Sequence, residues 1–468
     1  MELFCRRKVP FIFNQEAFIT SCSSALKNNI AGFLDPLQLD TIARRTGFLQ
    51  RTSKLKPKEF IDTLMFSEFD HSRLSLQDCC NDLAHQHQKS LSKVALHKRF
   101  NEHSFSFLKS VLAEQITQKL DIKSGKDWKP FTRVMITDSC KFALPQQYKD
   151  DYPGFGGARS KALMNMQYAF DLKQGNWETL ELTKVSENDK AYSKRSLQDI
   201  KAGDLHIRDL GYVTHGYLLK VSTEKAFFLN RLHPGWKPIS RSTGKAINWH
   251  TLYQEMQLSK RNRFETMVTI GKGEEAFDCR LIAVPVPEKV WSERIRKAQI
   301  RAKSVGYELT DDYKYRCRFS IFITNTTIEL LNATEVIQLY RLRWQIELVF
   351  KTWKSLLDMH KVKAVKKERL ECQLMAKFIW IILNWKIFRC LANFIRQNSP
   401  DNACSVWKFF KQARQCSHLL RMVVSGKLHF TIWCDLFSAS VVKNLLIEPK
   451  KGKKASLHIL NEVFFSLS

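Results

Sequence analysis

The chain has 468 residues, of which 44% are hydrophobic and 12% aromatic. This composition excludes a largely disordered protein and predicts several domains with a substantial core. Lysine and arginine together number 75 against 46 aspartates and glutamates, which gives a formal net charge of +29. Because so large an excess of one sign repels itself in a compact fold, it indicates a polyanionic partner, and nucleic acid is the leading candidate.

The apolar and cysteine patterns exclude other classes of protein. The most apolar stretch, residues 378–385, is far shorter than the roughly 20 residues that span a bilayer. The apolar run near the N-terminus is too short for a signal peptide, so we expect a soluble, intracellular protein. None of the 12 cysteines forms a CxxC pair, which favours reduced thiols over zinc or disulfides. We interpret His85 and His87 as surface residues, so any metal is expected to have oxygen ligands.

Residues 14–125 show the apolar periodicity of amphipathic helices. Within them, a basic run that begins at Arg44 and Arg45 and continues to Lys58 is interleaved with apolar residues. Such a run is as typical of a solvated helix face as of a helical module that reads DNA. The net charge of the whole chain favours the DNA-binding interpretation.

From residue 131 the pattern changes to that of strands. A strand at 132–137 ends in Asp138, a hairpin covers 164–183 with its turn at 174–176, and a short strand at 205–208 ends in Asp209. Helices are predicted at 189–201 and 214–223, and a further strand at 226–232. The alternation of strands and helices predicts an α/β fold with a mixed sheet.

Residues 233–316 interrupt this rhythm, and we interpret them as a β-rich insertion. They contain alternating segments at 264–270 and 277–284, followed by a basic helix at 289–303. A strand at 318–324 resumes the α/β pattern, and Thr334 begins a long helix. After residue 365 the chain is predicted to be mostly helical.

The long helix carries a stripe of polar side chains: Tyr340, Arg343, Glu347 and Lys354. At about 100° of rotation per residue, these side chains share an arc about 60° wide, beside an apolar arc that a core would bury. Charged borders of amphipathic helices are commonly just solvated, and periodicity alone favours that interpretation. A catalytic acid beside a phosphate-binding surface is the alternative.

Asp138 and Asp209 each follow a strand, where reacting groups collect in open α/β sheets. If the two strands are neighbours, their carboxylates face each other, and Glu347 can join them from the long helix. Carboxylates that lie so close together repel one another unless a cation lies among them. Mg²⁺ or Mn²⁺ suits such an all-oxygen site, and two ions about 4 Å apart would support an in-line phosphoryl displacement.

These residues resemble the DDE transposases of bacterial insertion sequences, in particular the insertion-sequence-four group with its Y-x2-R-x3-E-x6-K signature. The signature is complete in Tyr340, Arg343, Glu347 and Lys354. The family's first aspartate follows an apolar strand and precedes a small residue, as Asp138 does. Its second lies in an Asp-x-Gly-Tyr setting, which matches residues 209–212. The resemblance covers about residues 75–395.

The resemblance implies a ribonuclease-H-like, mixed-sheet catalytic core that is interrupted by the β-rich insertion and flanked by helical regions. The implied division is a helical DNA-binding region at 1–125, the first part of the core at 126–232 and the insertion at 233–316. The second part of the core, with the catalytic glutamate helix, would occupy 317–365, and a helical C-terminal region 366–468.

The resemblance also implies roles for individual side chains. The metal-binding catalytic triad would be Asp138, Asp209 and Glu347, with Mg²⁺ as cofactor and Mn²⁺ as a possible substitute. The residues expected to contact DNA are Tyr340, Arg343, Lys354, Trp291, Arg44, Arg45 and Lys351. Relatives use a tryptophan of the insertion to receive a flipped base, for which Trp291 is our candidate and Trp236 and Trp249 are alternatives.

The implied activity is metal-dependent DNA cleavage at insertion-sequence ends and strand transfer into target DNA, through a hairpin on the element's end. A homodimer in a synaptic complex would perform it, in the bacterial cytoplasm and at the nucleoid. Two alternatives stay open. One is a catalytically inactive derivative that binds DNA as an inhibitor or architectural factor, and the other is a metal-dependent nuclease that only hydrolyses.

Overall fold

The computed structural model describes residues 16–18, 26–30, 32–67, 74–118, 131–155, 161–399 and 402–446. The side chains of 344–348, 351 and 438–443 lie outside this description, although their backbone is helical. Within the described residues, a mixed sheet of nine strands is surrounded by helices from both ends of the chain. The fold class is therefore α/β, as the alternation of elements predicts.

The N-terminal part is helical, as its periodicity predicts. Its longer helices start at strong boundary signals: Asp35 caps the first by accepting from the Gln38 amide at 2.9 Å, and Asn101 caps the last. Their apolar faces join the main core. The longer helices are α1 (Pro36–Arg45), α2 (Pro57–Phe66), α3 (Leu76–His87), α4 (Lys93–Arg99) and α5 (Glu102–Thr117).

The first five strands form one half of the sheet, in the order β3-β2-β1-β4-β5. Strands β4 and β5 run parallel to β1, whereas β2 and β3 form an antiparallel hairpin at the edge. Gly175 turns this hairpin with a φ of 66°, which glycine adopts without strain. The strands are β1 (Val134–Ala143), β2 (Leu163–Asp171), β3 (Asn176–Lys184), β4 (Leu205–Arg208) and β5 (Phe227–Arg231).

The first strand is longer than the sequence pattern predicts, and this expectation was wrong. Strand β1 does not end at Asp138 but continues to Ala143, because residues 138–143 pair with β2. Only its parallel pairing with β4 stops there, at Thr137 opposite Arg208. The sequence does not reveal that the strand continues, because the half-buried polar side chains after Asp138 break the apolar run that indicates a strand.

Helices connect these strands where the sequence predicts them. Helix α6 (Asp189–Arg195) precedes β4, and α7 (His215–Thr223), capped by Thr214, joins β4 to β5. Each connection between parallel strands thus contains a helix. Parallel strands need such a crossover connection because a tight hairpin cannot join them.

Residues 233–316 extend the same sheet, but more of them lie in helices than in strands, so the expectation of a β-rich segment was wrong. Strand β9 (Phe319–Thr324) pairs antiparallel with β5, and beyond it lie β8 (Phe277–Pro285), β7 (Phe264–Ile270) and β6 (Ile239–Ser240). This segment also carries α8 (Trp249–Leu258), α9 (Glu288–Val305) and α10 (Asp311–Arg316). A second core, formed largely by the strands β7, β8 and β9 and the helices packed on them, lies beneath this half of the sheet.

Two long helices complete the fold. Helix α11 (Ala333–Leu356) starts at a capping box, in which Asn332 accepts from the Glu335 amide and Glu335 accepts from the Asn332 amide. Helix α12 (Lys367–Asn398) is followed by α13 (Val406–Gln415), α14 (Ser417–Val424) and α15 (Phe430–Leu445). Among the described residues, α12 alone is long and apolar enough to cross a membrane, but 78% of that window is buried within the fold. It is a core helix.

Candidate active site

Asp138 and Asp209 occupy matching positions on adjacent strands. Strands β1 and β4 are parallel neighbours, and their pairing ends with Thr137 opposite Arg208. Asp138 directly follows Thr137, and Asp209 directly follows Arg208. Both aspartates therefore lie at the same edge of the sheet. The expectation that the two strands are neighbours is therefore confirmed. The side chain of Asp138 is 13% exposed and that of Asp209 is 45% exposed.

Arg343 of α11 joins the two carboxylates. Its Nη1 donates to Asp138 Oδ2 at 2.5 Å, and its Nη2 lies 3.4 Å from Asp209 Oδ1. The guanidinium is only 12% exposed. A planar fork of donors can bind two carboxylates at once, which a lysine ammonium does less well. The helix that carries the signature therefore packs directly against the edge of the sheet where both aspartates lie.

Tyr340 lies one turn before Arg343 and is buried, at 9% exposure. Its ring packs edge-on against Phe322 of β9 at 5.3 Å, and the Arg343 guanidinium lies 5.7 Å from the ring centre. Burial raises the pKa of Tyr340 to about 12, although the nearby Arg343 charge opposes the rise. The phenol is thus neutral at physiological pH, so it can serve as a hydrogen-bond donor or acceptor but not as an anion.

Lys354 lies near the far end of the same stripe and contacts the extension of β1. Its Nζ donates to the backbone carbonyl of Lys141 at 3.2 Å. Cys140 lies close by, and burial raises the pKa of its thiol while the Lys354 charge opposes the rise. Arg343 and Lys354 therefore line the same strand, one beside Asp138 and the other three residues farther along it.

Glu347 and Lys351 lie in α11, but their side chains are outside the described residues. The backbone places Glu347 four residues after Arg343, and residues at that spacing are neighbours on a helix face. Among the described side chains, no cluster of three or more His, Cys, Asp and Glu residues has the arrangement of a metal site. The two described carboxylates are oxygen ligands only, and such a donor set fits a hard divalent cation.

The predicted tryptophans differ in accessibility. Trp291 on α9 is half-buried, donates from Nε1 to the Lys314 carbonyl at 3.0 Å, and is covered by the Arg318 guanidinium at 3.8 Å. Trp249 is buried at 3% exposure, and Trp236 is half-buried and stacked on a histidine ring. Trp249 therefore cannot receive a base without rearrangement, whereas the other two are partly accessible.

The predicted basic residues of the N-terminal region are exposed. Arg44 and Arg45 lie in the last turn of α1, where positive charge also interacts favourably with the helix dipole. Both side chains are accessible to solvent and to a polyanion. None of the described contacts joins them to the aspartates at the sheet edge.

A third carboxylate near the sheet edge was missed by sequence reasoning. Asp189 Oδ1 accepts a hydrogen bond at 3.0 Å from the hydroxyl of Ser139, the residue after Asp138. The only available signal was the Asn188 N-cap, which places Asp189 at the start of a helix. That signal does not reveal which strand the helix approaches.

Comparisons with known proteins identify a family and several relatives. Residues 129–383 match the family described as the transposase DDE domain. The chain is 29% identical over 367 residues to the transposase for insertion sequence element IS231D of Bacillus thuringiensis subsp. finitimus, with 75% of this chain and 77% of the relative covered. It is 26% identical to the transposase for IS1151 of Clostridium perfringens, with 77% and 79% covered. It is 25% identical to the transposase for IS421 of Escherichia coli, with 74% and 88% covered.

Proposed function

Because the chain belongs to the family of transposases with a DDE domain, we propose that Asp138, Asp209 and Glu347 are its catalytic triad. Membership implies a ribonuclease-H-like core and an enzyme that cleaves DNA at insertion-sequence ends and transfers strands with divalent metal ions. Mg²⁺ is the ion that we propose, with Mn²⁺ as a substitute. Strands β1–β5 with α11 would form the core, and residues 233–316 the insertion.

One observation carries this proposal. Asp138 and Asp209 emerge side by side from parallel strands, and both contact Arg343, which lies one helical turn before Glu347. A solvated helix border would not explain why the signature arginine lies between two carboxylates that are remote in sequence. The arrangement supports a site in which the three acids act together.

The residues of the site would have separate roles in metal binding and in phosphate binding. Asp138, Asp209 and Glu347 would hold the divalent ions, which supply activation of an attacking oxygen and stabilisation of a leaving oxygen. Arg343 compensates the charges of Asp138 and Asp209 and, once an ion binds them, would contact a phosphate. Lys354 would bind a phosphate alongside β1, as a cation with three donors does.

Further DNA contacts are proposed for residues outside the triad. Tyr340 and Lys351 would contact the bound strand from α11, and Trp291 would stack on a flipped base if Arg318 moves from its ring. Arg44 and Arg45 would bind the DNA backbone from the N-terminal helical region. Cleavage would proceed through a hairpin, and a homodimer would hold two element ends in a synaptic complex at the nucleoid.

The test separates cleavage from binding. Asp138→Asn and Glu347→Ala are expected to abolish cutting of a terminal DNA fragment in Mg²⁺ while binding of that fragment in a gel-shift assay persists. The matched controls Asp150→Asn and Glu308→Ala change exposed acids elsewhere and should cut normally. Cutting retained by either triad variant would overturn the assignment. Binding without cutting by the unchanged protein would instead support the inactive alternative.

A further inference from the structure

Asp189 contacts the residue that follows the first aspartate. It is the first residue of α6, and Asn188 caps the helix by accepting from the Ala191 amide at 3.0 Å. Because Asn188 performs the capping, the Asp189 carboxylate is available for another contact. Its Oδ1 accepts from the Ser139 hydroxyl at 3.0 Å, next to Asp138.

Asp189 also packs against the turn that follows the second aspartate. A β-carbon added at Gly211 would lie 2.6 Å from Asp189 Oδ2 and 3.2 Å from its Cβ, so the turn can approach this closely only with glycine there. The same turn is anchored to β2 by Tyr212, whose hydroxyl donates to Gln167 Oε1 at 2.6 Å. Asp209 therefore precedes a turn that rests on Asp189.

We infer that Asp189 is a positioning residue, which fixes the spacing of Asp138 and Asp209 by contacting the segment after each of them. This inference rests on the proposed function, because it assumes that the two aspartates bind the divalent ion. Strand β4 is only four residues long and ends at Arg208, so its ladder does not hold Asp209. Residues that orient metal ligands from behind commonly change metal affinity about 10–100-fold when they are removed.

A purely structural role for Asp189 makes a different prediction. A negative charge in the first turn of a helix interacts favourably with the helix dipole. If that were its whole role, Asp189→Asn would be as harmful as Asp189→Ala, since both remove the charge. If positioning is its role, Asp189→Asn should keep the metal affinity that Asp189→Ala loses. The asparagine keeps an acceptor for Ser139 and a side chain of the same size beside Gly211.

The experiment measures Mn²⁺ binding to the full chain by calorimetry, together with the metal dependence of terminal DNA cleavage. We expect Asp189→Ala to raise the Mn²⁺ Kd about tenfold, and Asp189→Asn to stay close to the unchanged protein. Ser139→Ala should raise the Kd in the same direction, and the double variant should be no worse than Asp189→Ala alone. The exposed control Asp150→Ala should have no effect.

The outcomes are distinguishable from those that test the proposed function. If Asp138→Asn loses Mn²⁺ binding but Asp189→Ala and Ser139→Ala keep the original Kd and metal dependence, the positioning role is wrong and the metal site stands. If Asp138→Asn itself keeps Mn²⁺ binding, the proposed metal site is wrong. Ser139→Ala removes only one hydroxyl, so it reports on the contact even if Asp189→Ala does not fold.

Discussion

Arg343 and Asp138 are 205 residues apart in the chain, yet they form an ion pair with an N–O distance of 2.5 Å. Both side chains are largely shielded from water, so the pair is not a loose surface contact. It fixes the middle of helix α11 against the first strand of the sheet. The neighbouring turns of the same helix face are thereby held close to the sheet edge that carries Asp209.

The first prediction concerns competition at this pair. The guanidinium contacts the carboxylate oxygens that a divalent ion would bind, so Arg343→Gln should bind Mn²⁺ more tightly. Because even an exposed ion pair contributes up to about 1 kcal/mol, we expect the Mn²⁺ Kd to fall by about fivefold or more. The same variant should cut DNA about 10²–10³-fold more slowly, because it loses a positive group near the reacting phosphate. Calorimetry and a single-turnover cleavage assay measure the two effects, and weaker Mn²⁺ binding would contradict the competition.

Lys354 is predicted to act on DNA and not on the metal. It contacts the Lys141 carbonyl and neither aspartate in the described contacts. Lys354→Ala should release cut element ends about tenfold faster and slow hairpin processing, since a charge-assisted hydrogen bond to phosphate is lost. Denaturing gels over a time course measure both, with the exposed Lys184→Ala as control. Unchanged kinetics at every step would count against a phosphate role.

A cluster of ion pairs joins the N-terminal and C-terminal helices, and we predict that it contributes to the stability of the fold. Arg421 of α14 donates to Asp62 of α2 at 2.6 and 2.8 Å and to Asp82 of α3 at 2.6 and 2.7 Å. Arg421→Ala leaves the buried Asp62 carboxylate with only His87 as a charged partner among the described residues and should lower the free energy of unfolding by about 3–5 kcal/mol. Arg195, which is 46% exposed, is the control, and its replacement by alanine should cost less than about 1 kcal/mol.

The same cluster gives the stability a defined dependence on acid. Burial raises the pKa of Asp62, but the hydrogen bond with His87 and the Arg421 charge outweigh it, so the pKa lies below the ordinary value of 3.8. A carboxyl with a lowered pKa stabilises the fold above its unfolded pKa, and this is lost as the pH falls through the folded value. Urea unfolding at pH 6 and below pH 4 should show that Asp62→Asn has lost this part of the acid sensitivity.

Lys386 is predicted to make the stability rise at alkaline pH. It is buried in α12 near Gln115 and Asn29, and burial lowers its pKa to about 8. Between that value and an unfolded pKa of about 10.4, the unfolded chain binds one more proton, so stability increases with pH. The free energy of unfolding should rise by on the order of 3 kcal/mol over this pH range. Urea unfolding measures this rise, which should be absent in Lys386→Met. The exposed Lys109→Met should keep it.

Much of the sheet edge was predictable from sequence because its signals are local. The apolar strand before Asp138, the Asp-x-Gly-Tyr setting of Asp209 and the helical spacing of the signature each lie within a few residues. The Arg343 pair with both aspartates could not be predicted, since it depends on how α11 packs on the sheet. The extension of β1 past Asp138 was missed because its half-buried polar residues pair with β2, a contact that no local pattern reveals.

If Asp138, Asp209 and Glu347 bind the same divalent ions, as we propose, the metal must lie within reach of all three carboxylates. The most direct measurement is anomalous diffraction from crystals of the protein soaked in Mn²⁺ with a terminal DNA fragment. We expect manganese peaks about 2.1 Å from carboxylate oxygens of all three residues. Manganese bound elsewhere, or a Glu347 carboxylate that stays more than about 12 Å from the aspartates, beyond the reach of any shared ion, would contradict it.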